Sequence, residues 1–148
     1  YHLGEHGFWQ KSNFHEEVTR VPLIITAPGM PSGRTQSLVE LVDIFPTLTD
    51  LTNIETPASV QGKSLVPLLK NPASSVRESA LSIYNKGQAI RTPKWSFMHY
   101  KDGTEEMYDM EHDPLQFTNL ADKSEFQTTK KSLTTQLQQR LSDAQINK

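Results

Sequence analysis

The sequence predicts a mixed α/β chain whose second half is a small antiparallel sheet covered by a terminal helix. Three observations carry this reading. Val21 to Ala27 is a short β-branched and apolar run closed by Pro28-Gly29; four β-favouring segments lie between Ser79 and Met110 with turn residues between them; and Leu133, Leu137, Leu141 and Ala144 recur at helical spacing.

In chain order, residues 1–20 hold three histidines, two glycines and four large aromatics without a clean period, which reads as an irregular loop. Val21 to Ala27 is expected to be a buried strand. Asp43 is placed to cap a helix carrying Pro46 in its first turn, where a missing amide costs nothing, with Phe45, Leu48 and Leu51 or Thr52 facing inward. Lys63 to Lys70 reads as a short helical segment around Leu65, Leu68 and Leu69, and Asn71 to Ser75 as a linker. Ser79–Tyr84, Ala89–Arg91, Trp95–Tyr100 and Glu106–Met110 form a meander, turned at Asn85-Lys86-Gly87 and Lys101-Asp102-Gly103-Thr104. Ser124 with Gln127 fits a capping box at the start of the terminal helix.

The 148 residues suffice for one domain or two small ones, and the boundary is expected at the linker, giving 1–73 and 74–148. A net charge of −2 without a run of either sign argues against a nucleic-acid partner or a polybasic membrane patch. Apolar runs are too short to span a bilayer, and the absence of cysteine excludes disulfides, thiolate metal sites and a cysteine nucleophile. Tyr1 opens within a dense polar and aromatic cluster, so the chain reads as a segment of something longer.

Candidate chemistry is sparse. Gly62-Lys63-Ser64 lacks the earlier glycine of a phosphate loop, since Pro57 stands there. His2, His6 and His15 lie close together, but Gly4 and Gly7 oppose the helix that would align His2 and His6 as metal ligands. Lys11, among Trp9, Ser12 and Asn13, is a point charge with three donors, suited to an oxyanion. There is no Ser/His/Asp order, nucleophile elbow or glycan sequon. The residues alone reach an α/β chain with an irregular polar opening.

Two blocks supply more. Leu3-Gly4-Glu5-His6-Gly7-Phe8-Trp9-Gln10-Lys11, followed by Glu16-Glu17-Val18-Thr19-Arg20-Val21-Pro22-Leu23-Ile24-Ile25, resembles the sulfatases of the alkaline-phosphatase superfamily, with iduronate-2-sulfatase-like bacterial enzymes nearest in flavour. Val39 to Leu48, Gly62 to Leu69, Glu106-Met107-Tyr108-Asp109-Met110, His112-Asp113-Pro114 and Thr118-Asn119-Leu120-Ala121 follow in the family's order. The resemblance covers nearly the whole chain, and the ordered set is more specific than any one motif.

The resemblance implies the C-terminal end of a large mixed-sheet domain in residues 1–73 and the antiparallel subdomain in 74–148. It implies a parent that cleaves sulfate esters of small molecules or glycans with a formylglycine nucleophile and a divalent, calcium-type ion, and that is exported or lysosomal. Lys11 matches the lysine that contacts sulfate, and His6 belongs to the same block with a loop-fixing role. The nucleophile motif and the early paired aspartates are absent from these 148 residues, so neither a catalytic nucleophile nor a bound metal is expected in this chain. At Trp95-Ser96-Phe97 the chain departs from the family's tyrosine and lysine, and that lysine's contact is not carried over. The expected fragment is inert alone, exposes an apolar face or strand edge, and self-associates. Rival readings are a phosphodiesterase or phosphonate-ester hydrolase of the same superfamily and a non-catalytic sulfated-glycan-binding module using Trp9, Trp95 and Tyr100.

Overall fold

The structure, a computed structural model, describes residues 1–144; residues 145–148, the end of the second expected domain, lie outside the described residues. In chain order the elements are α1 (Glu16–Thr19), α2 (Ile44–Leu51), α3 (Val66–Lys70), the strands β1 (Ala80–Tyr84), β2 (Gly87–Arg91), β3 (Trp95–Tyr100) and β4 (Glu105–Asp109), and α4 (Gln127–Asp143). Short 3-10 turns precede α2 and α4. The chain divides into two compact units, one of residues 1–22 with 81–148 and the other of residues 23–80. This differs from the expected split after residue 73: the opening segment packs with the sheet that follows it by some sixty residues, because that sheet has a second apolar face to cover. Among the described residues no helix is long and apolar enough to cross a membrane.

In the first unit the strands lie in the order β1-β2-β3-β4. β3 pairs antiparallel with both neighbours, placing Ile90 and Met107 beside Phe97, and Ala89 and Glu106 beside Met98. Successive residues point to opposite faces of a sheet. One face therefore carries Ile90, Phe97 and Met107, which pack with Ala121 and with Leu133, Leu137 and Leu141 of α4. Burying each leucine contributes about 1.5–3 kcal/mol. Lys130 of α4 pairs with Glu105 of β4 at 2.9 Å and fixes the helix along the sheet. The meander and its covering helix follow the sequence expectation, except at the helix start. Ser124 makes no cap there; the chain enters through a 3-10 turn, and Gln127 Nε2 donates back to the carbonyls of Ala121 and Lys123.

The second unit is organised by Asp43, which is fully buried. Its carboxylate accepts the amides of Glu40 at 2.7 Å and Lys63 at 2.8 Å and pairs with the Arg77 guanidinium, whose other arm reaches Glu40 at 2.6 Å. Asp43 thus closes the 3-10 turn before α2 rather than capping α2 itself. Thr47 Oγ1 donates to the Asp43 carbonyl and accepts the Leu65 amide at 2.8 Å. These bonds turn Pro46, Thr47 and Thr49 inward. The expected inward face is corrected: Phe45 and Leu48 are 52% and 55% exposed.

Val21 to Ala27 forms no strand, and Ile24 is 89% exposed. A strand needs a neighbour to take its amides and carbonyls, and this segment has none among the described residues. Val21, Leu23, Leu41, Val42 and Ile54 are likewise exposed. The Gly62-Lys63-Ser64 run serves packing. A Cβ on Gly62 would fall 2.1 Å from the Val42 carbonyl oxygen, Lys63 Nζ donates to the Val76 carbonyl, and Ser64 bonds Asp50.

Replacing Arg77 by Leu leaves the Asp43 carboxylate buried without its cation, and the expected cost is about 3–5 kcal/mol. Denaturant unfolding checks this, and Asp43→Asn in the same background should recover part of the loss.

Candidate functional site

The opening loop covers the face of the sheet opposite α4. Phe14 is buried among Ala89, Met98, Tyr108 and Met110, with its ring 5.8 Å from that of Tyr100. His15, also buried, meets Glu106 of β4 through Nε2 at 3.2 Å. Next along, the Glu16 amide donates to Gln116 Oε1 at 2.8 Å, and the Glu16 carboxylate accepts Arg91 Nε of β2 at 2.9 Å. Anchors on three consecutive residues fix a segment that has one turn of helix and no strand.

Before these anchors the chain folds back on itself. The His2 amide bonds the Gln10 carbonyl and the Gly4 amide bonds the Phe8 carbonyl, closing a tight loop around the 3-10 turn Glu5–Gly7. Gly4, at φ 126°, takes a conformation that L side chains rarely adopt. His2 is fully buried, and its Nε2 lies against the Asn13 side-chain amide at about 3 Å. The Leu3 amide bonds Glu5 at 2.6 Å and holds that carboxyl below its usual range. His6 stacks on His15 with centroids 4.2 Å apart, and His2 stands edge-on to both at 5.7 Å. His6 Nε2 lies 3.6 Å from Glu17.

Both site residues read from the sequence therefore sit on this loop. His6 is packed within its aromatic cluster, while Lys11 is exposed and has no hydrogen-bond or ion-pair partner among the described residues. The three histidines are brought together, but as packed rings rather than as converging ligand atoms. The one group of three whose ligand atoms converge among the described residues is Asp109, Glu111 and His112, at the end of β4. Lys94 already stands there, 3.1 Å from Glu111. Of the aromatic candidates, Trp95 packs against Phe126 and the helix-side core, Tyr100 against Phe14, and Trp9 stays 72% exposed.

The residues that fasten the loop, Glu106, Gln116 and Arg91, were not singled out by the sequence. Alternation along β4 places Glu106 on the loop side, whereas nothing local marks Gln116, a buried residue at φ 58°. Burial would push the Glu106 carboxyl up, but hydrogen bonds from His15 and Tyr108 outweigh it and leave it below the ordinary value. Burial, with the Glu106 charge added, pushes the Tyr100 and Tyr108 phenols well up, so both remain protonated donors.

A small antiparallel meander backed by a C-terminal helix is shared with sulfatases of the alkaline-phosphatase-like fold. Residues 4–143 match the family described as "N-sulphoglucosamine sulphohydrolase, C-terminal", and the chain belongs to that family. It is 33% identical over 147 residues to the N-acetylglucosamine-6-O-sulfatase of Bacteroides thetaiotaomicron, covering 88% of this chain and 26% of that protein. To the choline-sulfatase of Rhizobium meliloti it is 37% identical over 127 residues, covering 81% and 25%. The chain thus spans about a quarter of the length of these relatives. The solved structure of BT4656 in complex with its substrate D-glucosamine-2-N,6-O-disulfate aligns with a TM-score of 0.89 at 31% identity, over 99% of this chain and 33% of that one. The phosphonate monoester hydrolase of Silicibacter pomeroyi shares the fold at a TM-score of 0.81 and 23% identity, over 93% and 31%.

Because the Glu106 carboxyl is more acidic folded than free, its contribution is present above the ordinary carboxylate range and is lost as pH falls through its folded value. Glu106→Gln should cost about 1 kcal/mol at neutral pH, with the gap to wild type closing in acid. Thermal unfolding of both proteins between pH 7 and pH 3 measures it.

Proposed function

We propose that the chain is the C-terminal wall of a sulfuric-ester hydrolase acting on a sulfated sugar, with Lys11 holding the sulfate. The observation that carries this is the position of Lys11. It is exposed and unpaired among the described residues, on a loop otherwise fixed by buried contacts, in a chain matched over residues 4–143 to a sulfatase family. An ammonium at a preorganised point lowers the cost of negative charge on a transferring sulfuryl group, and a loop that need not reorganise makes that charge more effective. The sugar follows from the relatives, one acting on N-acetylglucosamine 6-O-sulfate by name and one solved with a disulfated glucosamine.

In this reading the formylglycine nucleophile and a calcium-type ion come from outside these 148 residues. The residues present do not fit such an ion. A hard cation takes six to eight oxygen ligands, whereas the loop turns imidazoles inward and commits the carboxylates of Glu5 and Glu16 to Leu3 and Arg91. His6, stacked on His15, keeps the loop in shape rather than touching substrate.

A phosphonate-ester hydrolase is the second reading, favoured by the shared fold with the Silicibacter pomeroyi enzyme. Turnover of sulfate and phosphonate esters by the complete protein separates the two.

In the complete protein, Lys11→Ala should lower kcat/KM for a sulfated glucosamine by about a hundred- to a thousandfold, with Lys11→Arg less affected; steady-state kinetics decide. The 148-residue chain alone should hydrolyse no aryl sulfate. Its exposed Ile24, Phe45 and Leu48 should make it self-associate, and light scattering over a dilution series would show a mass that falls with dilution.

A further inference from the structure

Within the opening loop, the stretch from Gln10 to Asn13 is closed into a ring by one buried residue. The His2 amide donates to the Gln10 carbonyl at 3.2 Å, and the His2 ring meets the side-chain amide of Asn13 through Nε2. Lys11 and Ser12 are the two residues between the points that His2 holds. His2 is fully buried and Asn13 is 6% exposed. Both are buried by residues of this chain, so protein packed outside it has no access to the bond between them.

The side chain at position 13 makes two bonds of opposite kind. A backbone N–H can only donate, so the His15 amide, 3.2 Å away, takes Oδ1 of Asn13. Nδ2 is then left to donate to His2 Nε2 at 2.9 Å. Asparagine carries an acceptor and a donor on one short planar group, which neither an ionised aspartate nor leucine offers. Through His15 the ring is also tied to the sheet, since His15 Nε2 lies 3.2 Å from Glu106 of β4. An ammonium on a four-carbon stem acts on an anion at a fixed place only if the backbone beneath it is held, and a displacement of about 1 Å can lower a rate a hundredfold. Opening the ring at Asn13 frees one end of the span that carries Lys11, and the freed residues regain conformational entropy.

We propose that Asn13 is a positioning residue for Lys11: with His2 it closes a clasp that fixes the backbone from which the ammonium reaches the sulfate. This rests on the sulfate-holding role of Lys11 proposed above and adds to it what sets the position of that lysine.

The test uses the complete protein and a sulfated glucosamine. Asn13→Ser keeps an oxygen that can accept the His15 amide but is too short to reach His2, so it opens the ring alone. It should lower kcat/KM about ten- to a hundredfold when Lys11 is present. In the Lys11→Ala background it should cost less than about twofold, because nothing is left to position once the ammonium is gone. His2→Phe, which keeps a ring of similar size and the backbone bond to Gln10, should repeat that coupled loss. His2→Gln, whose side-chain amide falls near the place of Nε2, should recover most of it. A loss of the same size with and without Lys11, or no loss in either background, would overturn the clasp, and His2→Phe is judged by the same criteria if Asn13→Ser does not fold. Calorimetric binding of inorganic sulfate reads the clasp apart from chemistry. If wild type binds sulfate through Lys11 without turning the ester over, the hydrolase reading fails; the clasp then stands if Asn13→Ser weakens sulfate binding about tenfold and fails if it does not. If wild type turns the ester over and Asn13→Ser matches it, the clasp fails and the hydrolase reading stands. If Lys11→Ala changes neither turnover nor sulfate binding, the clasp fails together with the role given to Lys11.

Discussion

Phe97 and Met98 are consecutive residues of the third strand, and both are fully buried. Neighbours in a strand face opposite sides, so two such residues demand that both faces of the sheet be covered. α4 covers one face with three leucines one turn apart. The other is covered by no regular element. The opening loop does it with Phe14 and His15, and the sheet in return gives that loop the order its own sequence, with Gly4 and Gly7 in seven residues, would not supply.

What could be read from the sequence divides along that line. The meander and its helix announce themselves locally, through turn residues at 85–87 and 101–104 and leucines four apart. Asp43 was legible as a residue that starts a helix but not as a buried anion joining Glu40, Lys63 and Arg77, because those partners are brought to it by tertiary folding. The same network explains the misjudged face of α2. An apolar period points Phe45 and Leu48 inward by hydropathy, yet Thr47 and Thr49 are drawn in by bonds to Asp43, Leu65 and Pro46. Two apolar side chains are left facing outward, and Val21 to Ala27, composed like a strand, has none to pair with among the described residues.

The site was legible only in part, and for a different reason. Lys11 has no local signature beyond being a lysine among polar residues; the role proposed for it rests on the ordered family motifs around it. His6 was placed in the same block, but its stacking on His15 depends on how far the loop folds back. Gln116 carries no signal at all, since a left-handed glutamine is selected by the turn that Asp113 builds and by the Glu16 amide waiting for it. Residues that act by holding other residues are specified by geometry, and geometry is what a linear pattern omits.

The shared fold with a phosphonate monoester hydrolase bears on what the scaffold can and cannot decide. Sulfate monoesters and phosphonate monoesters each carry a single negative charge at neutral pH, and within Leu3 to Lys11 the chain offers one lysine. Three cations of the sheet and its covering helix are engaged in ion pairs, Arg91 with Glu16, Lys94 with Glu111 and Lys130 with Glu105. On the proposed reading of Lys11, a single ammonium on a fixed loop matches a monoanion of either kind and gives no preference between sulfur and phosphorus. The selection between those two chemistries must therefore come from groups that meet the leaving group, the nucleophile or the body of the substrate.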